Sequence, residues 1–248
     1  MSHLIRRTRA VEPRQCLVAE DEGTPRVFVM LEGWACCSKL LTSGQRLITD
    51  LLLPGDISHW QANLLGYADH SLSTLTRSIV AEINPAEILE ALERSPSLAR
   101  ALRWSLLQTD SILRQALINN GRRMAVLRIA HLICEVRARL QAVGDPVDGG
   151  FAWPLTQNDL ADVTGMTNVH VSRSIVVLRS NGLILLERRR MFVPDPERLA
   201  ALCEFRPDYL HLTRVPAEGA SGLCRTSTST LVPRESWSRT ARPRWAEL

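Results

Sequence analysis

The most informative pattern of apolar and polar positions lies between Leu155 and Ile184, in LTQNDLADVTGMTNVHVSRSIVVLRSNGLI. Thr156 precedes an apolar-periodic run and has Asp159 three residues on, the pattern of a capping box. Leu160, Ala161 and Val163 give the helix that follows an inward face. Gly165 supplies a turn, since a residue without a Cβ takes positive φ at little cost. Thr167 is placed to cap a second helix, whose Val171, Ile175 and Leu178 recur at helical spacing and face a core. That leaves Asn168, Val169, Ser172 and Arg173 on the outward first turns. The second helix stops at Asn181-Gly182. LILLERRRMFVP then reads as two short apolar runs around a basic turn, a β-hairpin or wing. Any one of these features also fits a structural helical hairpin. The ordered combination of cap, helix, glycine turn, capped helix with an outward arginine and basic hairpin predicts a winged helix-turn-helix.

Earlier in the chain, residues 15–83 alternate short apolar runs (RVFVMLEG, WACCSKLL, RLITDLLLPGD, LSTLTRSIVAEI) with turns at Gly23, Gly33, Ser43-Gly44, Pro54-Gly55-Asp56 and Gly66. This predicts a small antiparallel sandwich or barrel. A short helix starts at Pro85 and Pro96 breaks it. Ser97 to Asn119 then runs without Gly or Pro. Its Leu102, Leu106, Thr109, Leu113 and Ala116 form a coiled-coil seam, and Leu98, Ile112 and Leu117 widen the stripe towards the barrel. Asn119-Asn120-Gly121 reads as a hinge. A second helix from Arg122 to about Val143 turns Met124, Leu127, Ile129, Leu132, Ile133, Val136 and Leu140 inward. Arg122, Arg123, Arg128, Arg137 and Arg139 fall on its other sides, and His131 and Cys134 are expected to be packed. Trp153-Pro154 is expected to form a short strand. From Arg214 the chain is rich in Ser, Thr, Arg and Pro without periodicity, which predicts disorder.

Composition narrows the setting. At 248 residues, 45% hydrophobic and 23% charged, the chain suits two modest globular domains. No apolar run approaches the roughly 20 residues of a membrane helix, and MSHLIRRTRAVEPRQ lacks the apolar core of a secretory signal, so a cytoplasmic protein with no membrane partner is expected. The net charge of +4 conceals a gradient, mildly acidic up to Ser95 and strongly basic from Arg100 to Arg139. DNA binding therefore rests on local arginine placement, not on overall charge. Cys16, Cys36, Cys37, Cys134, Cys203 and Cys224 form no C-x-x-C pair and no zinc spacing with histidine, so free thiols and no metal are expected.

The segment LTQNDLADVTGMTNVHVSRSI resembles the recognition segment of the Crp/Fnr superfamily of bacterial transcription regulators, and the closing CEFRPDYLHL resembles the end of its DNA-binding domain in one branch. The resemblance spans about residues 10–213, most closely after residue 120. It implies an α+β chain: a cyclic-nucleotide-binding-like sensor barrel of cupin or jelly-roll type (1–96), a dimerisation helix (97–120), a winged DNA-binding domain (121–213) and a tail (214–248). Double-stranded DNA, a second copy of the chain and RNA polymerase are the implied partners, with a small-molecule effector left unidentified.

Family members that bind cyclic AMP carry a Gly-Glu pair and then an Arg-Ser, for the ribose hydroxyl and the cyclic phosphate. The matching positions here hold His59-Trp60 and His70-Ser71. A buried phosphate without its charged partner is costly, so cyclic nucleotide binding of that kind is not expected. An iron–sulfur cluster is not supported, since Cys16 alone precedes Cys36. Vicinal Cys36-Cys37 suggests a thiol sensor, but in an alternating strand one of the two simply points inward as a small apolar residue. Haem ligation through His59, His70 or Cys16 stays open, so a haem or thiol redox sensor is the alternative for this domain. No cofactor is called for by the residues themselves. No Ser/His/Asp, paired-carboxylate or metal constellation marks an enzyme. A winged helix that contacts protein instead of DNA is the other competing class.

The resemblance places Ser172-Arg173 at the family's Ser-Arg position. Arg173 is expected to bond O6 and N7 of a guanine, worth about 1–3 kcal/mol of discrimination. Many members carry glutamate three residues before that serine. Val169 stands there instead and suits a thymine methyl, so one base of the TTGA-type half-site is expected to differ. Asn168 suits adenine, and His170 a base or the backbone. Thr156, Gln157 and Thr167 sit at helix starts facing phosphate, and Arg188, Arg189 and Arg190 in the wing face the flanking backbone.

Overall fold

The computed structural model describes residues 7–23, 26–58 and 66–212. The expected strands are β1 (Arg7–Val11), β2 (Cys16–Val18), β3 (Val27–Glu32), β4 (Ala35–Leu40), β5 (Arg46–Leu52), β6 (Ile57–Ser58), β7 (Ser71–Thr74) and β8 (Ser78–Ile83). They form two antiparallel four-stranded sheets, ordered β1-β8-β3-β6 and β2-β7-β4-β5. Among the described residues these sheets stay separate, so of the sandwich or barrel expected the sensor is the two-sheet sandwich form. Alternation explains how it is filled. Val11, Phe28, Met30 and Val80 of one sheet meet Val18, Ala35, Cys37, Leu52 and Leu72 of the other between the layers. Gly33, at φ +82° between β3 and β4, is packed so closely on Ser78 and the Arg77 carbonyl that a Cβ would collide with them.

Both faces of β4 are covered, so not one but both of the vicinal thiols are packed. Cys37 points into the sandwich, while Cys36 on the opposite face packs with Ile48 and Leu51 against the C-terminal helices. Burial raises the Cys36 thiol to about 11 and Cys37 well above its ordinary value. Both are therefore protonated near neutral pH, a poor state for a reactive thiol.

Asn84 and Ser95 cap two successive helices that each begin with proline, α1 (Pro85–Arg94) and α2 (Pro96–Arg122). The break expected at Asn119–Gly121 falls later, because α2 runs through Gly121 and the chain turns extended at Arg123. The stripe along α2 is also rotated from expectation. Leu102, assigned to the dimer seam, is buried against Val27, Ile83 and Ile88. Leu117, assigned to the barrel side, is 75% exposed. Over 27 residues an α-helix drifts from a strict heptad by about 20° per repeat. The inward line therefore follows Leu98, Leu102 and Ile112 towards the sandwich and Asn119 towards α3, and Trp104, Leu107, Leu113, Leu117 and Ile118 are left uncovered.

Helix α3 (Ala125–Ala142) buries Ile129, Leu132, Ile133, Val136 and Leu140 as expected, and His131 and Cys134 are packed. Met124 is exposed, because it is the extended residue before the first turn and helical periodicity does not reach it. Arg139, expected on an outer side, is buried. α3 is covered by the C-terminal domain on one side and by β5 on the other, where Arg139 lodges. The short strand falls on β9 (Phe151–Ala152), one step before Trp153-Pro154. Then come α4 (Gln157–Thr164), α5 (Asn168–Ser180), the wing strands β10 (Leu185–Glu187) and β11 (Arg190–Phe192), α6 (Pro196–Leu202) and a 3-10 turn at Pro207–Leu210. β9 completes a small sheet of order β10-β11-β9.

One apolar cluster joins the sandwich to this C-terminal region. Trp34, Cys36, Leu51 and Leu53 share it with Leu132, Leu140, Trp153 and Leu160, and the Trp34 and Trp153 rings meet edge to face at 6.4 Å. Each fully buried large side chain contributes about 1.5–3 kcal/mol, against about 0–1 kcal/mol for an exposed ion pair. Packing therefore carries the attachment, and the charged contacts set its register.

Candidate nucleic-acid interface

The helix-turn-helix is built from its caps inward. Thr156 Oγ1 accepts from Asp159 N at 3.1 Å, while Asp159 Oδ2 accepts from Thr156 N at 2.9 Å and from its hydroxyl at 2.7 Å. This is a complete capping box with Asp in the place of Glu. Gly165 ends α4 in the left-handed region at φ 62°, and Thr167 caps α5 by accepting from His170 N at 3.4 Å. Val171, Ser174 and Leu178 are buried under α5, and Leu160 and Ala161 are buried under α4.

What remains outward is Thr167, Asn168, Val169, His170 and Arg173, all exposed, with Ser172 half-buried. Val169, at 57% exposure, Arg173 and Val176 recur at i, i+4 and i+7 and share one face of α5. Thr156 and Gln157 are exposed at the start of α4, the end where backbone N–H groups and the helix dipole favour anions. Thr156 already has its hydroxyl engaged in the capping box, and three more of these side chains are partly committed. Asn168 Nδ2 donates to Asn158 Oδ1 at 2.7 Å, tying α5 to α4, and Thr167 Oγ1 lies 3.1 Å from His170 Nδ1.

In the wing, Arg188 and Arg189 form the two-residue turn with φ 46° and 62°. Such a turn ordinarily takes Asn-Gly, so two arginines here hold a backbone that costs free energy and points at a surface role. Arg190 folds back instead, donating to the Gly150 carbonyl.

Sequence reasoning missed the groups that clamp this unit. Arg14 Nη1 and Nη2 donate to Asp159 Oδ1 and Oδ2 at 2.6 and 2.7 Å, and Arg46 donates to Asp159 and Asp162 at 3.2 and 2.7 Å. Burial alone would raise the Asp159 carboxyl, but hydrogen bonds from Arg14 and Thr156 overcome it and hold the group at about 2. At the other end of α4, Asn120 Nδ2 donates to the Val163 carbonyl at 2.9 Å and Arg128 to the Thr164 carbonyl at 3.2 Å. Arg123 donates to the Cys203 carbonyl, so several arginines of the basic stretch serve protein carbonyls.

On the sensor side, a cavity of about 260 Å³ lies between the sandwich and α2. It is bordered by Asp50, Asp56, Asp69 and Asp110, while the Arg139 guanidinium beside them already pairs with Asp56 at 2.8 Å. His70 lies 2.6 Å from Asp69. A phosphate placed there would face carboxylates. His59-Trp60, the other position of the cyclic AMP pattern, lies outside the described residues, as do Cys224 and the tail from residue 213 on. Among the described residues no group of three or more His, Cys, Asp or Glu is placed to hold a metal ion, and no helix is long and apolar enough to cross a membrane.

Comparisons with known proteins agree with this geometry. Residues 8–95 match the cyclic nucleotide-binding domain model, and residues 127–202 match the Crp-like helix-turn-helix domain model. The chain is similar to the transcriptional activatory protein AadR of Rhodopseudomonas palustris, 28% identical and covering 77% of this chain and 78% of the relative. It is also similar to the nitrogen fixation regulation protein FixK of Bradyrhizobium diazoefficiens, 29% identical and covering 76% and 78%. The structure of FixK2 from Bradyrhizobium japonicum shares the fold, with a TM-score of 0.70 at 23% identity over 79% of this chain and 96% of that one. With a sensor sandwich, a long helix and a capped winged helix-turn-helix in this order, and with both domain models and relatives matched over about three quarters of their length in agreement, the chain is a member of the Crp/Fnr superfamily, a DNA-binding transcription regulator of that type.

Proposed function

We propose that the chain binds an inverted-repeat operator as a homodimer, reading each half-site through the first turns of α5. The observation that carries this is the outward face of Val169, Arg173 and Val176 on a helix whose opposite face is fully packed. Arg173 is the guanine reader, Val169 the thymine-methyl contact and Asn168 the adenine contact, with His170 and Ser172 beside them. Thr156, Gln157 and Thr167 take phosphate at the helix starts, and Arg188 and Arg189 take the flanking backbone, with Arg190 bracing the wing. The uncovered apolar side chains of α2 support a parallel pairing with a second α2. A twofold dimer sets its two recognition helices about 34 Å apart, one turn of duplex.

The domain reading that follows is a sensor over residues 7–95, a dimer helix and a winged domain from residue 125. Relatives named as activators support RNA polymerase as a partner. The acidic lining of the sensor cavity supports an effector other than a cyclic nucleotide.

Selection of bound fragments from random duplex DNA tests the reading. An enriched inverted repeat that is lost with Arg173→Ala, while weak salt-sensitive binding persists, is the expected result. Recovery of no motif, with DNA affinity insensitive to salt, would favour a winged helix that contacts protein.

A further inference from the structure

We propose that a second cavity, at the junction of β5, α2, α3 and α4, binds a small monocationic amine with an apolar body. The cavity measures about 560 Å³, within the range of small-molecule sites, roughly 300–1,000 Å³. Its walls include Leu51, Leu113, Ala116, Leu117, Leu132 and Val163, of which Leu113 and Leu117 also belong to the side of α2 proposed above to pair with a second copy, so the body of the ligand is apolar.

The polar groups specify the rest. Asn119, only 6% exposed, borders the cavity with an Oδ1 that has no hydrogen-bond partner. Its Nδ2 donates to the Arg128 carbonyl at 3.2 Å, so exchanging the two ends of the amide would set oxygen against oxygen. Asp50 borders the same cavity, and its Oδ1 is likewise buried without a hydrogen bond. Both unsatisfied groups are acceptors, and a ligand that completes them must bring N–H or O–H donors.

Charge decides between the two. Asp50, Asp56 and Glu135 share one guanidinium, that of Arg139, at 3.9, 2.8 and 3.8 Å. Of the three acids Asp50 and Glu135 border this cavity, and the Arg139 guanidinium is drawn most closely to Asp56, so an ammonium beside Asp50 favours its ionised form and pairs with it, whereas a carboxylate or phosphate meets acids there. His131, also on the wall, does not supply it, because burial with Arg123 nearby lowers it to about 4 and keeps it neutral. The cavity also borders Val163 and Gly165, the end of α4 and the turn into α5. An occupant there touches the helix-turn-helix directly, and its meaning as an effector rests on the DNA-binding reading.

The test is calorimetric titration of the full chain with 2-phenylethylamine, its neutral analogue 2-phenylethanol and anionic phenylacetate. The amine is expected to saturate, the alcohol to bind at least about tenfold more weakly and phenylacetate not to bind. Ala116→Phe, which fills the cavity, is expected to abolish amine binding. Asp50→Asn is expected to bring the amine down to the alcohol, and its thermal melt shows whether it is folded. No saturable binding of the amine up to about 10 mM, equal binding of phenylacetate, or full amine affinity in folded Ala116→Phe or Asp50→Asn would each overturn the proposal. Because binding is read without DNA, a failure of operator recognition leaves this result standing.

Discussion

Arg14 holds Asp159 in a two-pronged ion pair across 145 residues of sequence, with nitrogen–oxygen distances of 2.6 and 2.7 Å. Arg14 sits in the left-handed turn between β1 and β2, at φ 64°, and Asp159 closes the capping box of α4. The sensor therefore grips the first helix of the DNA-binding unit by the carboxylate that starts it. Removing Arg14 leaves Asp159 with Arg46 and Thr156, and Arg14 is itself partly exposed, so Arg14→Ala is expected to cost about 1 kcal/mol. Asp159→Ala keeps the Thr156 cap on the backbone N–H but also loses the Arg46 contact and the reciprocal half of the capping box, and is expected to cost about 2 kcal/mol or more. Urea unfolding measures both, and equal costs for the two variants would contradict the arrangement. The carboxyl is held at about 2, below its unfolded value of about 3.9. Its stabilising contribution is thus present above about 3.9 and is lost as pH falls through 2.

Asp50 behaves in the opposite sense. Burial raises it to about 7, against the pull of Arg139 and with repulsion from Asp56 and Glu135 added. The folded state then holds the proton more tightly than the unfolded chain. The stability this confers is fully present below about 3.9 and is lost as pH rises through 7. Asp50→Asn is neutral at every pH, so its advantage over the parent protein should grow between about pH 5 and pH 8. It should reach at least about 1 kcal/mol, near the worth of one pKa unit. Denaturant melts at the two pH values check this, and a difference that stays constant would refute it.

The uncovered side of α2 makes the dimer testable separately from the fold. Leu117 is 75% exposed in one chain and touches none of its buried clusters. Leu117→Glu is therefore expected to leave the secondary structure intact and weaken self-association at least about tenfold, as read by sedimentation. Leu102→Ala, on the buried side, should instead cost about 2–5 kcal/mol of stability. If Leu117→Glu associates like the parent protein, the pairing surface lies elsewhere.

The contrast between Leu102 and Leu117 also marks where the sequence stopped being readable. Local rules placed Thr156, Asp159, Gly165 and Thr167 correctly, because caps and turns are decided by residues within one helical turn of each other. They could not tell which of two apolar lines on α2 faces the sandwich, since both are leucine-rich and the choice depends on what arrives from β3 and α1. Helical spacing puts Arg139 outside, in line with the rule that arginine is seldom buried. Its inward position follows from partners more than eighty residues away, the Leu51 carbonyl and Asp56. Arg14 and Arg46 look like surface charges until the fold brings α4 against them.

The recognition face yields the sharpest prediction, because its two candidate readers differ in chemistry. Arg173 can present two parallel donors to one guanine, so Arg173→Ala is expected to lose about 1–3 kcal/mol at a single base pair of each half-site and to relax the preference there. Val169 offers only an apolar surface at 57% exposure, which suits a thymine methyl and cannot accept a hydrogen bond. Val169→Glu introduces an acceptor for cytosine N4 on the same helical face. The variant is expected to move the selected base at that position from T to C and to leave the guanine read by Arg173 unchanged. Neither substitution touches the buried Val171–Ser174–Leu178 side, so stability should change by less than about 0.5 kcal/mol. Binding-site selection with the two variants in parallel reads both effects. A uniform loss of affinity across all sequences, with no change in the selected bases, would show that α5 meets the backbone and that specificity is set by another element.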